Sequence, residues 1–195
     1  VFDTVATGRF VANADKLGVD LSKTNRVILS HGHYDHSGGI SSLGNRVFEL
    51  PVYKHPEATV SRYSIKNPLE PKQVGIPADA LETLKFHPTM DTPGPTSTGK
   101  YLNVTGFVPR ITDYEDVGGP FFLDPVGKQP DLIPDDQAIW VNTERGLVIL
   151  LGCAHAGIIN TVNYCRKLSQ VKRVHALIGG FRLVHANEDR LNRTI

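Results

Sequence analysis

The sequence predicts an α/β protein of layered architecture, and three observations carry that expectation. Short apolar, β-branched runs at 26–30, Val52–Lys54, 147–151 and Val174–Ile178 alternate with stretches of helical spacing. Several of these runs end in glycines and histidines, as strands do when their carboxyl tips turn into loops at a site. The composition, 40% hydrophobic and 21% charged over 195 residues, suits a chain that buries a sizeable core, read here as one domain over 1–195.

Residues 1–5 read as a short buried strand. Thr7 is placed to cap a helix over 9–17, with Phe10, Ala14 and Leu17 on one face and Gly18 as its stop. A polar connection leads into the strand at 26–30. Ile40, Leu43, Val47 and Leu50 then recur at helical spacing, which predicts a helix over 39–49 ended by Pro51. Val52–Lys54 is the next strand, and His55-Pro56-Glu57 opens another helix. Residues 64–135 are crowded with proline and read as an irregular, loop-rich insertion, either a functional lid or a surface excursion. Within it, 101–108 predicts a strand and 91–99 an exposed loop. Order returns with strands at 137–141 and 147–151, joined by a hairpin turn. Ile158, Ile159, Val162, Cys165 and Leu168 mark one face of the following helix. After the strand Val174–Ile178, Asn187 is placed to cap a last helix, with Glu188 and Asp189 facing the positive end of its dipole.

Charge and cysteine content narrow the function classes. Lys+Arg 21 against Asp+Glu 20 leaves a formal charge of +1, and no basic stripe or stacking array argues for nucleic acid. Cys153 and Cys165 cannot form a disulfide framework, which fits a reducing, cytoplasmic compartment. No apolar run approaches the roughly 18 residues that a membrane span needs. The chain opens on Val1-Phe2-Asp3-Thr4 without an initiator methionine, so it reads as a processed or fragmentary sequence.

The chemistry concentrates at Ser30-His31-Gly32-His33-Tyr34-Asp35-His36-Ser37-Gly38-Gly39. Three of the chain's eight histidines and one aspartate fall within six residues, directly after an apolar strand. Neutral imidazole suits zinc and related ions, and a carboxylate hardens one position. His31 and His33, one residue apart, are spaced to close on one ion, while Asp35 and His36 are placed to reach a neighbouring one. His155 repeats the logic, at the tip of the strand 147–151 in Gly152-Cys153-Ala154-His155-Ala156-Gly157. Cys153 is either a soft ligand or a packed small hydrophobe, whereas Cys165 belongs to an apolar helix face. His55 and His87, each before a proline, read as surface residues, and His175 as a core or site-supporting histidine.

The pattern His-x-His-x-Asp-His-x-Gly-Gly after a hydrophobic strand resembles the first signature of the metallo-β-lactamase superfamily. The segments 31–39, 105–110, 136–138, 146–160 and 175–183 resemble one branch of it: the methanopterin-pathway dihydropterin aminobenzene-phosphate synthase and related metal-dependent hydrolases. The resemblance implies an αββα sandwich, here truncated at both ends. It also implies one or two divalent ions, zinc first, then manganese or iron, held by His31, His33, Asp35, His36 and His155. Zinc brings the pKa of bound water to about 7, so the expected activity is hydrolysis by metal-activated water, with Asp35 as ligand or water-orienting acceptor. A phosphoester or phosphodiester on a small molecule is the first expectation; a lactone, thioester or β-lactam is the further alternative. In that branch a histidine follows Gly179-Gly180-Phe181, and this chain has Arg182 there. Guanidinium has donors only and cannot bind a metal. Either His185 replaces the ligand, or Arg182 holds an anionic substrate, or the chain is a degenerate relative with little turnover. Tyr34, Ser97, Thr98, Arg110 and Arg182 are the candidate substrate contacts, and an unpaired sheet edge would invite a homodimer.

Overall fold

The run ahead of the histidine cluster forms a strand because Val27, Ile28 and Leu29 are all fully buried and β-branched or apolar. The structure is a computed structural model that describes residues 1–43, 50–184 and 186–195. In chain order the strands are β1 (Val27–Ile28), β2 (Val52–Lys54), β3 (Tyr63–Ser64), β4 (Lys72–Gln73), β5 (Thr89–Asp91), β6 (Thr96–Ser97), β7 (Asn103–Val104), β8 (Phe121–Phe122), β9 (Ala138–Thr143), β10 (Gly146–Leu151) and β11 (Val174–Ile178). The α-helices are α1 (Arg9–Lys16), α2 (Tyr34–Ser37), α3 (Ala78–Leu84), α4 (Ile158–Ser169) and α5 (Glu188–Thr194). The chain folds as two compact units, Val1–Asp91 with Pro120–Asp131, and Thr92–Gly119 with Leu132–Ile195.

In the first unit β1, β2 and β5 pair in parallel, with Val27 beside Val52 and Val52 beside Thr89. Val27, Leu29, Ile40, Leu43, Leu50, Val52, Ile76, Ala80 and Leu84 form its core, against which Phe10 packs. A small antiparallel sheet, β4-β3-β8, completes the unit. Arg62, fully buried, meets the buried Asp131 with Nε 3.1 Å from Oδ2, so the charge is paired where water cannot reach it.

In the second unit the sheet order is β11-β10-β9-β7-β6. β9 and β10 form the expected hairpin, Gly146 opposite Thr143, and a two-residue turn sits between them. β10 and β11 pair in parallel, which requires a crossover, and α4 supplies it. Ile158, Val162 and Cys165 of α4 pack on Ala138, Trp140, Leu147 and Ile149. Burial pushes the Cys165 thiol up to about 12, so it is a packed, unreactive group.

Several expectations need correction. Residues 1–5 are not a strand: Phe2 alone bridges Ile28, because Asp3 and Val5 take left-handed conformations at φ 57° and 53°. α1 matches 9–17 and stops at Gly18, φ 67°, but its N-cap is Gly8 and Leu17 is exposed. Gly38–Ser42 forms a 3-10 helix, and the rest of the helix expected over 39–49 lies largely outside the described residues. The 64–135 stretch is not merely irregular; it supplies β4 to β8 and α3, divided between both units. The strand expected over 101–108 shrinks to Asn103–Val104. His55 and His87 are buried, not at the surface: His55 Nδ1 accepts from Glu57 N, and His87 Nδ1 lies 3.2 Å from Leu50 O. His175 is exposed on β11, the edge strand of its sheet. Among the described residues no helix is long and apolar enough to cross a membrane.

Candidate metal centre

β1 ends at Ile28, and the chain then turns so sharply that Gly32 has no room for a side chain. A Cβ there would lie 1.8 Å from the Ala58 carbonyl oxygen. That turn sends the next residues into α2, a single turn whose N-cap is His33. His31 and His33 are therefore both buried at the strand tip, with ring centroids 4.6 Å apart, and His36 lies 4.3 Å from His31.

A single carboxylate organises these rings. Asp3 accepts from Ser30 N at 2.7 Å through Oδ1, and from Ser30 Oγ at 2.8 Å through Oδ2. The same Oδ2 is 2.7 Å from His36 Nδ1. A carboxylate only accepts, so His36 carries its proton on Nδ1 and its lone pair on Nε2. Ser30 Oγ has given its one proton to Asp3 and therefore accepts from His31 Nδ1, 2.8 Å away. His31 thus also presents its lone pair at Nε2. That atom is 3.1 Å from His33 Nδ1. Two nitrogens bound at about 2.0–2.1 Å to one tetrahedral ion would stand about 3.3 Å apart, so this pair already has the spacing of a shared ion. Ser37 Oγ donates to His33 O at 2.8 Å and holds that turn. Asp35 is half exposed, with Oδ2 3.7 Å from His36 Nε2. Tyr34, also exposed, has its backbone N–H tied to Val74 O.

In the second unit, β10 ends at Leu151 and the loop passes Ala154 at φ 51° before reaching His155, which is fully buried. Left-handed backbone at a β-carbon residue is costly and persists where the surroundings over-determine it. They do so here. Asp136 Oδ2 accepts from Ala156 N at 2.7 Å, and the Arg110 guanidinium donates to both His155 O and Leu132 O. His155 Nδ1 donates to Val117 O at 2.7 Å, which fixes the tautomer and leaves the lone pair on Nε2. Cys153, half-buried, precedes it by two residues.

Arg110 braces the backbone of the His155 loop. Ser97 and Thr98 sit in the β6–β7 hairpin, their hydroxyls donating to Gly99 O and Leu102 O. Arg182 takes φ 49° just past β11 and donates through Nη2 to Gly118 O. His185 lies outside the described residues. Nothing local in the sequence marks the roles of Asp3 and Val117, which act through partners 27 and 38 positions away.

The family model of the metallo-β-lactamase superfamily matches residues 1–161. The chain belongs to this superfamily. It is 28% identical over 211 residues to the 7,8-dihydropterin-6-methyl-4-(β-D-ribofuranosyl)-aminobenzene-5'-phosphate synthase of Methanocaldococcus jannaschii, covering 100% of this chain and 69% of the relative. An uncharacterized protein of the same organism is 33% identical over 172 residues, covering 87% of this chain and 62% of the relative. The chain thus spans about two thirds of the length of the curated relatives it matches. Among solved structures, a metal-dependent hydrolase of the β-lactamase superfamily superposes with TM-score 0.83 at 30% identity, over 98% of this chain and 70% of that one. A quorum-quenching N-acyl homoserine lactone hydrolase, TM-score 0.54 at 12% identity over 92% and 73%, shares the fold alone. The α/β fold and the branch read from the sequence are therefore those of the superfamily. Its divalent metal finds a fitting donor set in imidazole nitrogens whose lone pairs are already oriented by Asp3, Ser30 and Val117.

Proposed function

We propose that the chain is a metal-dependent hydrolase in which His31, His33 and His155 hold one divalent ion, and Asp35 and His36 serve a second. The observation that supports this most is the 3.1 Å approach of His31 Nε2 to His33 Nδ1 at a strand tip, with the His31 tautomer set by Ser30. When bound, the metal supplies Lewis acidity and lowers the pKa of water. The protein's own residues do the rest. Asp3 keeps the His31 and His36 lone pairs aimed away from itself. His33 Nδ1 donates to His31 Nε2, so His33 would offer that nitrogen to an ion only after its proton shifts to its own Nε2. Asp35, half exposed at the start of α2, would accept a proton from an attacking water when it is not a ligand. A phosphoester on a small molecule is the proposed substrate class; the synthase relative, named for a 5'-phosphate compound, gives that class its support.

The second reading is a family member that binds metal with little turnover, and Arg182 favours it. The test joins metal analysis to turnover of bis(p-nitrophenyl) phosphate and p-nitrophenyl phosphate by the zinc- or manganese-loaded chain. The hydrolase reading expects near-stoichiometric metal and a rate that falls at least a hundredfold in His33→Ala. Metal without turnover on either ester, or on a lactone and a thioester, would select the second reading.

A further inference from the structure

A cavity of about 360 Å³ opens within the second unit, lined by Asp116, Gly118, Gly119, Arg182, Val184 and Arg190. We propose that it is an anion site that takes the phosphate group of a small phosphomonoester, independently of any metal.

Arg190 carries the argument. Its residue is 5% exposed, and its Nη1 reaches Asp116 Oδ1 at 3.1 Å. Its Nε and Nη2 have no hydrogen-bond partner among the described residues. Burying guanidinium donors without partners is costly, so an acceptor entering the cavity that Arg190 lines would relieve that cost. They are held there firmly. Arg190 sits in the first turn of α5, where its own N–H is tied to the Asn187 side chain at 2.8 Å. Its one acidic neighbour in the cavity, Asp116, has a side chain 71% exposed and therefore largely hydrated, so it neutralises the site weakly.

Arg182 supplies a second guanidinium. It is pinned by its left-handed backbone and by the bond to Gly118 O, and a Cβ on Gly118 would lie 2.0 Å from its Nε. Gly118 thus leaves room for the Arg182 guanidinium to pack on its backbone. Two guanidiniums against one carboxylate give the lining a net charge of +1, by 2 − 1 over these six residues. Planar forks of this kind match phosphate oxygens bidentately, and a dianion uses both. The volume lies within the roughly 300–1,000 Å³ of small-molecule pockets, more than a bare oxyanion fills. An organic carrier is therefore expected, and Val184, 90% exposed, offers it an apolar edge.

The test is calorimetric titration of the full chain, stripped of metal with a chelator and dialysed at 0.15 M salt. Phenyl phosphate, inorganic phosphate and benzoate are the probes. We expect saturable binding at one site per chain, with phenyl phosphate tightest and benzoate at least tenfold weaker. Arg182→Gln should weaken phenyl phosphate at least tenfold at an unchanged melting temperature. Asp116→Asn, which removes the opposing carboxylate, should tighten it about threefold. Arg190→Lys, which keeps the charge and can keep the Asp116 pair, guards against loss of fold and should weaken binding. No saturable binding, binding that appears only when metal is restored, or equal affinities across these variants would overturn the site. None of those results would touch the metal reading, and failure of the metal reading would leave this binding in place.

Discussion

Asp3 is the residue on which the histidine geometry turns, although it can touch no metal itself while it is occupied with Ser30 and His36. Its carboxylate sets one tautomer directly and another through a serine hydroxyl. Outer partners of this kind are typically worth about 10–100-fold in metal affinity. Asp3→Asn should therefore lower zinc affinity by that factor, read by competition with a chromophoric chelator, while the far-ultraviolet circular dichroism stays that of the parent. An unchanged affinity would mean the rings are held by packing alone. His155 shows the same device with a backbone carbonyl in place of the carboxylate, so no side-chain variant removes it.

At the scale of elements, α4 shows what a sequence hides and what it shows. Its length and apolar face were legible from Ile158, Val162 and Cys165, because helical burial writes a 3.6-residue period into the chain. Its N-terminus was not. No local side chain caps it; Glu115, more than forty positions earlier, accepts from Ile159 N and Asn160 N at 2.9 Å each, meeting the exposed N–H groups and the positive dipole end together. Gly157 makes room for that carboxylate: its φ is 100°, and a Cβ would lie 2.3 Å from Glu115 Oε2. Gly157→Ala should cost about 1–3 kcal/mol, seen as a lower denaturant midpoint. If the midpoint is unchanged, Glu115 is not a cap. The proline-rich stretch was misread for a related reason. Two-residue strands such as β4 and β8 carry too few side chains to show a period of two, and only pairing with distant partners makes them strands. The histidine cluster, by contrast, was legible outright, since four donor side chains in six residues need no partner to be noticed.

For the molecule as a whole, superfamily membership joins an α/β fold to a set of pre-oriented imidazoles, and the near-neutral charge of +1 directs attention to small substrates over polyanions. The central claim is that His31, His33 and His155 bind one ion. X-ray absorption at the zinc edge of the loaded full chain tests it most directly. The account predicts a nitrogen and oxygen shell at about 2.0–2.1 Å with imidazole outer-shell scattering, and a loss of that scattering of similar size in His33→Ala and in His155→Ala. Imidazole scattering that survives His155→Ala unchanged, or a shell dominated by sulfur at about 2.3 Å, would contradict it.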